Sequence, residues 1–386
     1  MKRHTWPSLN GYSTRTRVIG SLLGILVVAA VVAGCGGSSS SSGGSTGGGG
    51  GEESSGGNHV KIAWIYYGPK QDKGWSTALS SAEEAVEKKF GSEVENVNAE
   101  NVPYSNQMTQ IAEQFMLQGA EVVVDTGGFG ELFVKACEKY PEVDCIEVSP
   151  QGKLPENTLG WSPQYWAAEY VAGVAAGLTT KSDTAGYVMP YELPLAKGPL
   201  NSFALGCQAS NPSCNTRFVV TNDYYNPPKE NQAANTLIDA GADVIRAWLN
   251  DQAFCTTAEG RGVRAIGEFT DASSECPKST VTSLTMNFAP FFEETVGDIL
   301  EGNFKPEQLK ILPVKGVIEI GEWGPGVSSE TKQQTEQALE ELGSGKLYPW
   351  EGPIEDQSGQ VKVKPGEKLS QKFIYNEWEW FVNGVQ

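Results

Sequence analysis

IAEQFMLQGAEVVVD, residues 111–125, reads as an apolar helical stripe, a glycine stop and a short buried strand, and AANTLIDAGADVIRA, residues 233–247, repeats that grammar. In the first copy Ile111, Ala112, Phe115 and Met116 recur at helical spacing before Gly119, and Glu121–Asp125 follows as a strand with three consecutive valines. In the second copy Ala233, Ala234, Leu237 and Ile238 form the stripe, Gly241 ends it, Asp243–Ala247 is the strand, and Pro228 suits the first helical turn upstream. The duplication extends backwards. Lys61–Tyr66 predicts a strand followed by a helix over 75–89, and Ala185–Met189 predicts a strand followed by a helix over 199–208, with Lys73-Gly74 in one connecting loop and Lys197-Gly198 in the other.

Strands that alternate with helices and are apolar on both faces belong in parallel sheets covered on both sides. The chain is therefore expected to be α/β, built as two similar doubly wound parallel-sheet lobes. Neither half places a G-x-G-x-x-G turn between strand and helix, and Gly343-Ser344-Gly345-Lys346 is followed by Leu347 where a phosphate loop needs a hydroxyl residue, so no nucleotide cofactor is expected. In such sheets ligands sit beyond the carboxyl ends of the strands, and two facing lobes would enclose one ligand.

The residues at those strand ends are Tyr66, Tyr67, Asp72 and Trp75, then Thr126, Gly127, Gly128 and Phe129, with Trp161 after a further short strand. The second half supplies Tyr191, Glu192, Trp248, Asn250, Asp251, Glu268 and Asp271, and Asn287 follows Met286. Flat rings stack on planar heterocycles, and carboxylates or amides accept hydrogen bonds from ring N–H and amino groups. Such a set suits a neutral or weakly cationic planar molecule. Trp75 and Phe129 are the preferred contacts because they lie on loops, whereas Trp64, in a strand, Trp166, in an apolar helix, and Trp378 and Trp380, read as a terminal helix, are assigned to packing.

The start of the chain points outward from the cytoplasm. Lys2, Arg3, Arg15 and Arg17 precede an apolar run from Val18 to Val32, and Val31-Val32-Ala33-Gly34-Cys35 is similar to a bacterial lipobox, which implies cleavage before Cys35 and lipid on its thiol. The alternative is an uncleaved signal anchor. Residues 36–58 contain 11 Gly and 8 Ser, a composition that cannot bury apolar surface, and a coil of that length reaches about 25–30 Å. Without the four leader cations the formal charge moves from −18 to −22, which disfavours nucleic acid as a partner.

Once the leader is removed, His59 is the one histidine left, so histidine-based catalysis and histidine metal sites are nearly excluded. Cys137, Cys145, Cys207, Cys214, Cys255 and Cys276 include no C-x-x-C pair and fit disulfides of an exported protein. Of 15 connectivities, pairing between sequence neighbours is preferred: 137 with 145, 207 with 214, and 255 with 276. No G-x-S-x-G elbow is present either, so the chain is read as a binding protein rather than an enzyme.

Asp72-Lys73-Gly74-Trp75-Ser76, Asn101-Val102-Pro103, Phe203-Ala204-Leu205-Gly206 with Asn211-Pro212, Gly241–Ile245, Ala265-Ile266-Gly267 through Asp271, Gly352–Asp356 with Gly359, and Trp380–Val385 occur in this order. Together they resemble the basic membrane protein family of extracytoplasmic lipoproteins that feed purine nucleosides or bases to ABC importers. The resemblance implies a type I periplasmic binding protein fold with a hinge crossed three times. It implies a signal peptide over 1–34, an anchored tether over 35–58, a first lobe of 59–180 plus 280–314 and a second lobe of 181–279 plus 315–386. It also implies that Trp75 replaces the family's stacking aromatic, that Asp72 lies on the same wall and that Asp271 fills the acidic position after the Ile-Gly turn. A lysine common in the nucleoside-binding branch is absent, since Thr282-Ser283-Leu284-Thr285 leads to Met286-Asn287; base and nucleoside both stay open. The expected partners are a purine-like ligand, an ABC permease and the membrane through Cys35, with a monomeric body at the extracytoplasmic face of the cell membrane. The rivals are a receptor for sugar or another small solute, a surface hydrolase using Asp or Glu, and a sensor lipoprotein without transport.

Overall fold

The computed structural model describes residues 59–386; the expected leader, Cys35 and the tether lie outside them. The first half runs β1 (Val60–Ile65), α1 (Trp75–Phe90), β2 (Val94–Ala99), α2 (Asn106–Leu117), β3 (Val122–Asp125), α3 (Glu131–Lys139), β4 (Asp144–Val148), β5 (Thr158–Ser162) and α4 (Tyr165–Thr179). The second runs β6 (Thr184–Met189), α5 (Pro194–Ser210), β7 (Asn215–Val220), α6 (Pro227–Asp239), β8 (Val244–Ala247), α7 (Ala253–Arg261), β9 (Arg264–Phe269) and β10 (Thr280–Met286). Then come α8 (Ala289–Leu300), β11 (Lys310–Ile311), β12 (Ile318–Ile320), α9 (Ser329–Gly343), β13 (Ile354–Glu355), β14 (Val361–Val363) and α10 (Gln371–Asn376).

The duplication is visible in the sheets. One has the order β11-β5-β4-β3-β1-β2 and the other β12-β10-β9-β8-β6-β7, so β1 and β6 hold equivalent central places. Within these two sheets all pairs are parallel except β10 with β12, and β13 and β14 form a separate antiparallel pair. Each lobe covers the outer face of its sheet with a pair of helices. Ala63, Ile65 and Val123 pack against Met108, Phe133 and Ala136 of α2 and α3, and Val188 and Ile245 pack against Leu237 and Phe254 of α6 and α7. Disulfides join Cys137–Cys145, Cys207–Cys214 and Cys255–Cys276, the sequence-neighbour pairing.

Several boundaries differ from the sequence expectation. Thr280–Met286, placed in the first lobe from the resemblance, pairs in parallel with β9 and lies in the second sheet. Helix α4 also belongs with the second lobe, where it packs on α5 and α9. The cause is close approach: a Cβ at Gly173 would overlap the carbonyl of Phe203, and one at Gly206 would overlap that of Tyr170, so the two small residues let α4 and α5 touch through their backbones. The chain therefore crosses between lobes at Pro163–Gln164, again beyond Met286, and a third time between β11 and β12. Helix α5 begins at Pro194 rather than Pro199, because Pro194 occupies the first turn and Pro199 is carried inside the helix. Trp378 and Trp380 follow α10 instead of lying in it.

The last residues complete the second lobe. Val385 bridges Thr216 of the edge strand β7, with Thr216 N–H donating to Gly384 O (2.9 Å) and Gln386 N–H to Thr216 O (2.8 Å). Among the described residues no helix is long and apolar enough to cross a membrane.

Candidate functional site

The carboxyl ends of both sheets meet across a band of aromatic rings. Trp75, the first residue of α1, lies with its ring centroid 5.1 Å from Phe269 at the end of β9, 5.2 Å from Phe288 and 5.8 Å from Tyr165. Its indole N–H donates to Thr126 O (2.7 Å), which fixes the ring's height above β3. Trp248, one residue past β8, faces Tyr165 at 5.4 Å and Tyr224 at 6.2 Å, and its buried indole N–H has no partner. Tyr165 thus stands between a tryptophan from each lobe. Contacts across the cleft hold the lobes together: Lys73 Nζ meets Glu275 at 2.6 Å, Thr270 Oγ1 donates to Lys73 O, and Tyr67 OH donates to Asp223 at 3.3 Å.

The carboxylates divide by what their oxygens do. Asp72 accepts from the N–H groups of Gly74, Ser76 and Thr77 at 2.9–3.0 Å, closing the start of α1; burial still raises its pKa to about 6. Asp125 likewise accepts from the N–H groups of Gly127, Gly128 and Phe129 at 2.7–2.9 Å, and burial lifts it to about 7. Beside it in register, Glu147 is driven up to about 9 by burial and by Asp125, and its Oε2 is buried without a partner. Asp271 is spent on the Ser273 and Glu322 N–H groups and on Ser283. Glu268 is different. It shares Arg246 with Glu169, which Arg246 holds through Nε at 3.1 Å and Nη2 at 2.5 Å, while Glu268 itself lies 3.6 Å from the guanidinium. Neither Glu268 oxygen has a hydrogen-bond donor, and burial raises its pKa well above the carboxylate range.

Of the residues proposed from sequence, Trp75, Trp248, Asn250, Asp251 and Glu268 lie where the strand ends of the two lobes approach. Asn250 O abuts Gly74, and Asp251, raised by burial, accepts from Ala253 N–H (2.7 Å) at the start of α7. Asn287 is exposed on the rim of a depression of about 220 Å³ between α1 and the ends of β9 and β10, where its side chain accepts from Ala289 N–H (3.1 Å). Trp161, inside β5, borders the ring band through Phe288 (5.2 Å) and packs behind it on Phe291 and Phe292. Tyr66 turns under α1 and donates to Glu83 (2.7 Å), and Phe129 packs in the α2–α3 core beside Tyr104. Gly128 supplies a left-handed turn (φ 66°) in the loop that Asp125 holds. A larger depression of about 620 Å³, lined by Asp144, Asn157 and Phe304, opens at the amino ends of β4 and β5, away from the rings.

Sequence reasoning missed Tyr165, Tyr224, Phe269 and Phe288 in the band, and Glu147. The available signals were Ser162-Pro163 breaking a strand just before Tyr165, and a glutamate within the otherwise apolar strand Asp144–Val148.

The family model of the PnrA-like ABC transporter substrate-binding proteins matches residues 59–347. A purine-binding protein of Brucella abortus is 27% identical over 327 residues, covering 84% of this chain and 93% of that one. A putative ABC transporter glucose-binding protein of Haloferax volcanii is 28% identical over 328 residues, covering 85% and 80%. Among solved structures, an ABC transporter solute-binding protein from Conexibacter woesei superposes with a TM-score of 0.61 at 22% identity over 75% of this chain and 97% of its own, and one from Aeropyrum pernix with 0.62 at 16% identity over 78% and 94%. The solved structures support the fold.

Proposed function

The chain belongs to the family of PnrA-like ABC transporter substrate-binding proteins, and from that premise we propose that it captures a purine, as base or nucleoside, between its lobes and presents it to the importer's permease. Family membership makes it an extracytoplasmic binding component rather than an enzyme. What carries the purine proposal is the pair Trp75 and Trp248, one from each lobe, with Tyr165 between them. Aromatic rings from both lobes line this cleft with faces suited to a planar heterocycle, and stacking of a base on an aromatic ring contributes about 1–3 kcal/mol. The unpartnered Trp248 N–H adds a hydrogen-bond donor beside those rings.

A sugar is the second reading, favoured by the Haloferax relative. It fits less well. A hexose presents several hydroxyls that each need a partner, whereas Asp72, Asp125 and Asp271 have already committed their oxygens to backbone N–H groups. We further infer that lipid on Cys35 and the Gly/Ser tether confine a monomeric body at the membrane, where lobe closure is the signal read by the permease.

Releasing the small molecule retained by the purified protein and weighing it by mass spectrometry tests the ligand class. A purine mass is expected. Recovery of a hexose, with calorimetric binding of glucose and none of adenine, hypoxanthine or their nucleosides, would replace the purine with the sugar.

A further inference from the structure

Residues 348–386 lie beyond the family match, yet they reach the hinge. Tyr375 of α10 packs edge-on against Trp166 of α4 (4.5 Å), and its hydroxyl bridges Ser162 Oγ (2.7 Å) and the carbonyl of Pro163, the residue at which the chain first leaves lobe one. Ser162 Oγ lies 2.9 Å from Ser149 Oγ, and Ser149 Oγ lies 3.2 Å from Tyr165 OH. Four hydroxyls therefore run in line from the C-terminal segment to the ring that stands between Trp75 and Trp248. Each can donate one hydrogen bond and accept another, so the chain can satisfy itself from end to end.

Other contacts make the same connection. Gln371 Nε2 donates to Gln164 Oε1 (3.4 Å), Gln164 Nε2 donates to Leu312 O (2.9 Å), and Leu312 N–H donates to Ser162 O (2.9 Å), tying the first crossing to the third and both to α10. Ser149 has a left-handed backbone (φ 50°), a conformation that a serine keeps only when its surroundings fix it. Its N–H donates to Trp161 O (2.7 Å), and its hydroxyl sits in the relay.

We propose that Tyr375 is a positioning residue for the cleft, holding Tyr165 between the two tryptophans through Ser162 and Ser149, so that the C-terminal segment sets how well the lobes close on their ligand. This rests on the Trp75–Trp248 cleft being the ligand site. Tyr375→Phe keeps the ring on Trp166 and deletes one end of the relay, and Tyr165→Phe deletes the other. One net hydrogen bond is worth about 0.5–1.5 kcal/mol, so each variant is expected to weaken adenine or hypoxanthine binding by roughly two- to tenfold. The double variant is expected to be no weaker than the weaker single one, because both cut one chain.

Ligand-free hydrogen exchange supplies an independent readout. Exchange over residues 149–166 is expected to quicken several-fold in Tyr375→Phe, with α6 unchanged. Unchanged exchange over 149–166, or independent and additive losses of affinity, would overturn the relay. If the unmodified protein binds no purine while Tyr375→Phe still quickens exchange, the relay stands and the ligand assignment fails.

Discussion

Lys73-Gly74 lies in the loop just before α1 and Lys197-Gly198, expected in the matching loop, lies in the first turns of α5, and the two serve different joints. In the first, Lys73 is largely exposed and reaches Glu275 across the cleft, while Gly74 lies so close to Asn250 that a Cβ there would overlap the Asn250 carbonyl. In the second, Lys197 is mostly buried over the Phe381 ring and donates to Glu379 O (3.0 Å), while a Cβ on Gly198 would stand 2.9 Å from Ile374 O. One dipeptide is a latch between the two lobes, and the other is a fixed socket for the C-terminal segment. What separates them is the neighbour each glycine approaches, a property of the tertiary structure.

Substituting the glycines tests this division most strongly. Gly74→Ala is expected to keep the ligand-free unfolding midpoint and to weaken ligand binding on the order of tenfold to a hundredfold, since overpacking of about 1–3 kcal/mol falls only on the closed form. Gly198→Ala is expected to do the reverse, lowering stability by about 1 kcal/mol once the helical preference for alanine is set against the clash with Ile374. Urea unfolding beside calorimetry reads both, and equal behaviour of the two variants would dissolve the distinction between latch and socket.

Buried charge is a second difference between the lobes. Lobe two surrounds Arg246 with Glu169 and Glu268, whereas Asp125 and Glu147 of lobe one have no cationic partner among the described residues. Burial raises the folded pKa of Glu147 to about 9, above its unfolded value, so the folded protein binds the extra proton. The stability from this group is fully present below its unfolded pKa and is lost as pH climbs from there through the folded one, with a slope approaching about 1.4 kcal/mol per pH unit between roughly pH 5.5 and 8. Glu147→Gln should flatten that limb, as read by urea unfolding at several pH values; an unchanged slope would place the titration elsewhere.

The smallest effect is expected at the lysines. Lys73→Met removes an exposed ion pair worth about 0–1 kcal/mol and should weaken binding less than fivefold, an effect that shrinks with added salt. Lys197→Met keeps the aliphatic stem on Phe381 and should leave affinity unchanged.

The duplicated stripe, glycine and strand were legible because helical and strand periods are local, and so was the neighbour pairing of the cysteines. The home of β10 was not, since Thr280–Met286 is apolar enough for either sheet and its partner β9 is chosen by tertiary packing. The site was legible as a set of residue types and only partly as a geometry. Sequence shows that Asp72 and Asp271 are acidic and near strand ends, but the destination of their lone pairs depends on backbone N–H groups that local folding turns toward them. Tyr165 was hidden for a similar reason: it opens an apolar helix, and only the crossing at Pro163 aims it into the cleft.

Calorimetric titration of the body, residues 59–386, with adenine, beside Trp75→Ala, tests the central claim most directly. Saturable one-to-one binding is predicted, weakened roughly tenfold or more by the loss of one stacking face. Equal affinity in the two proteins would contradict a cleft built on Trp75.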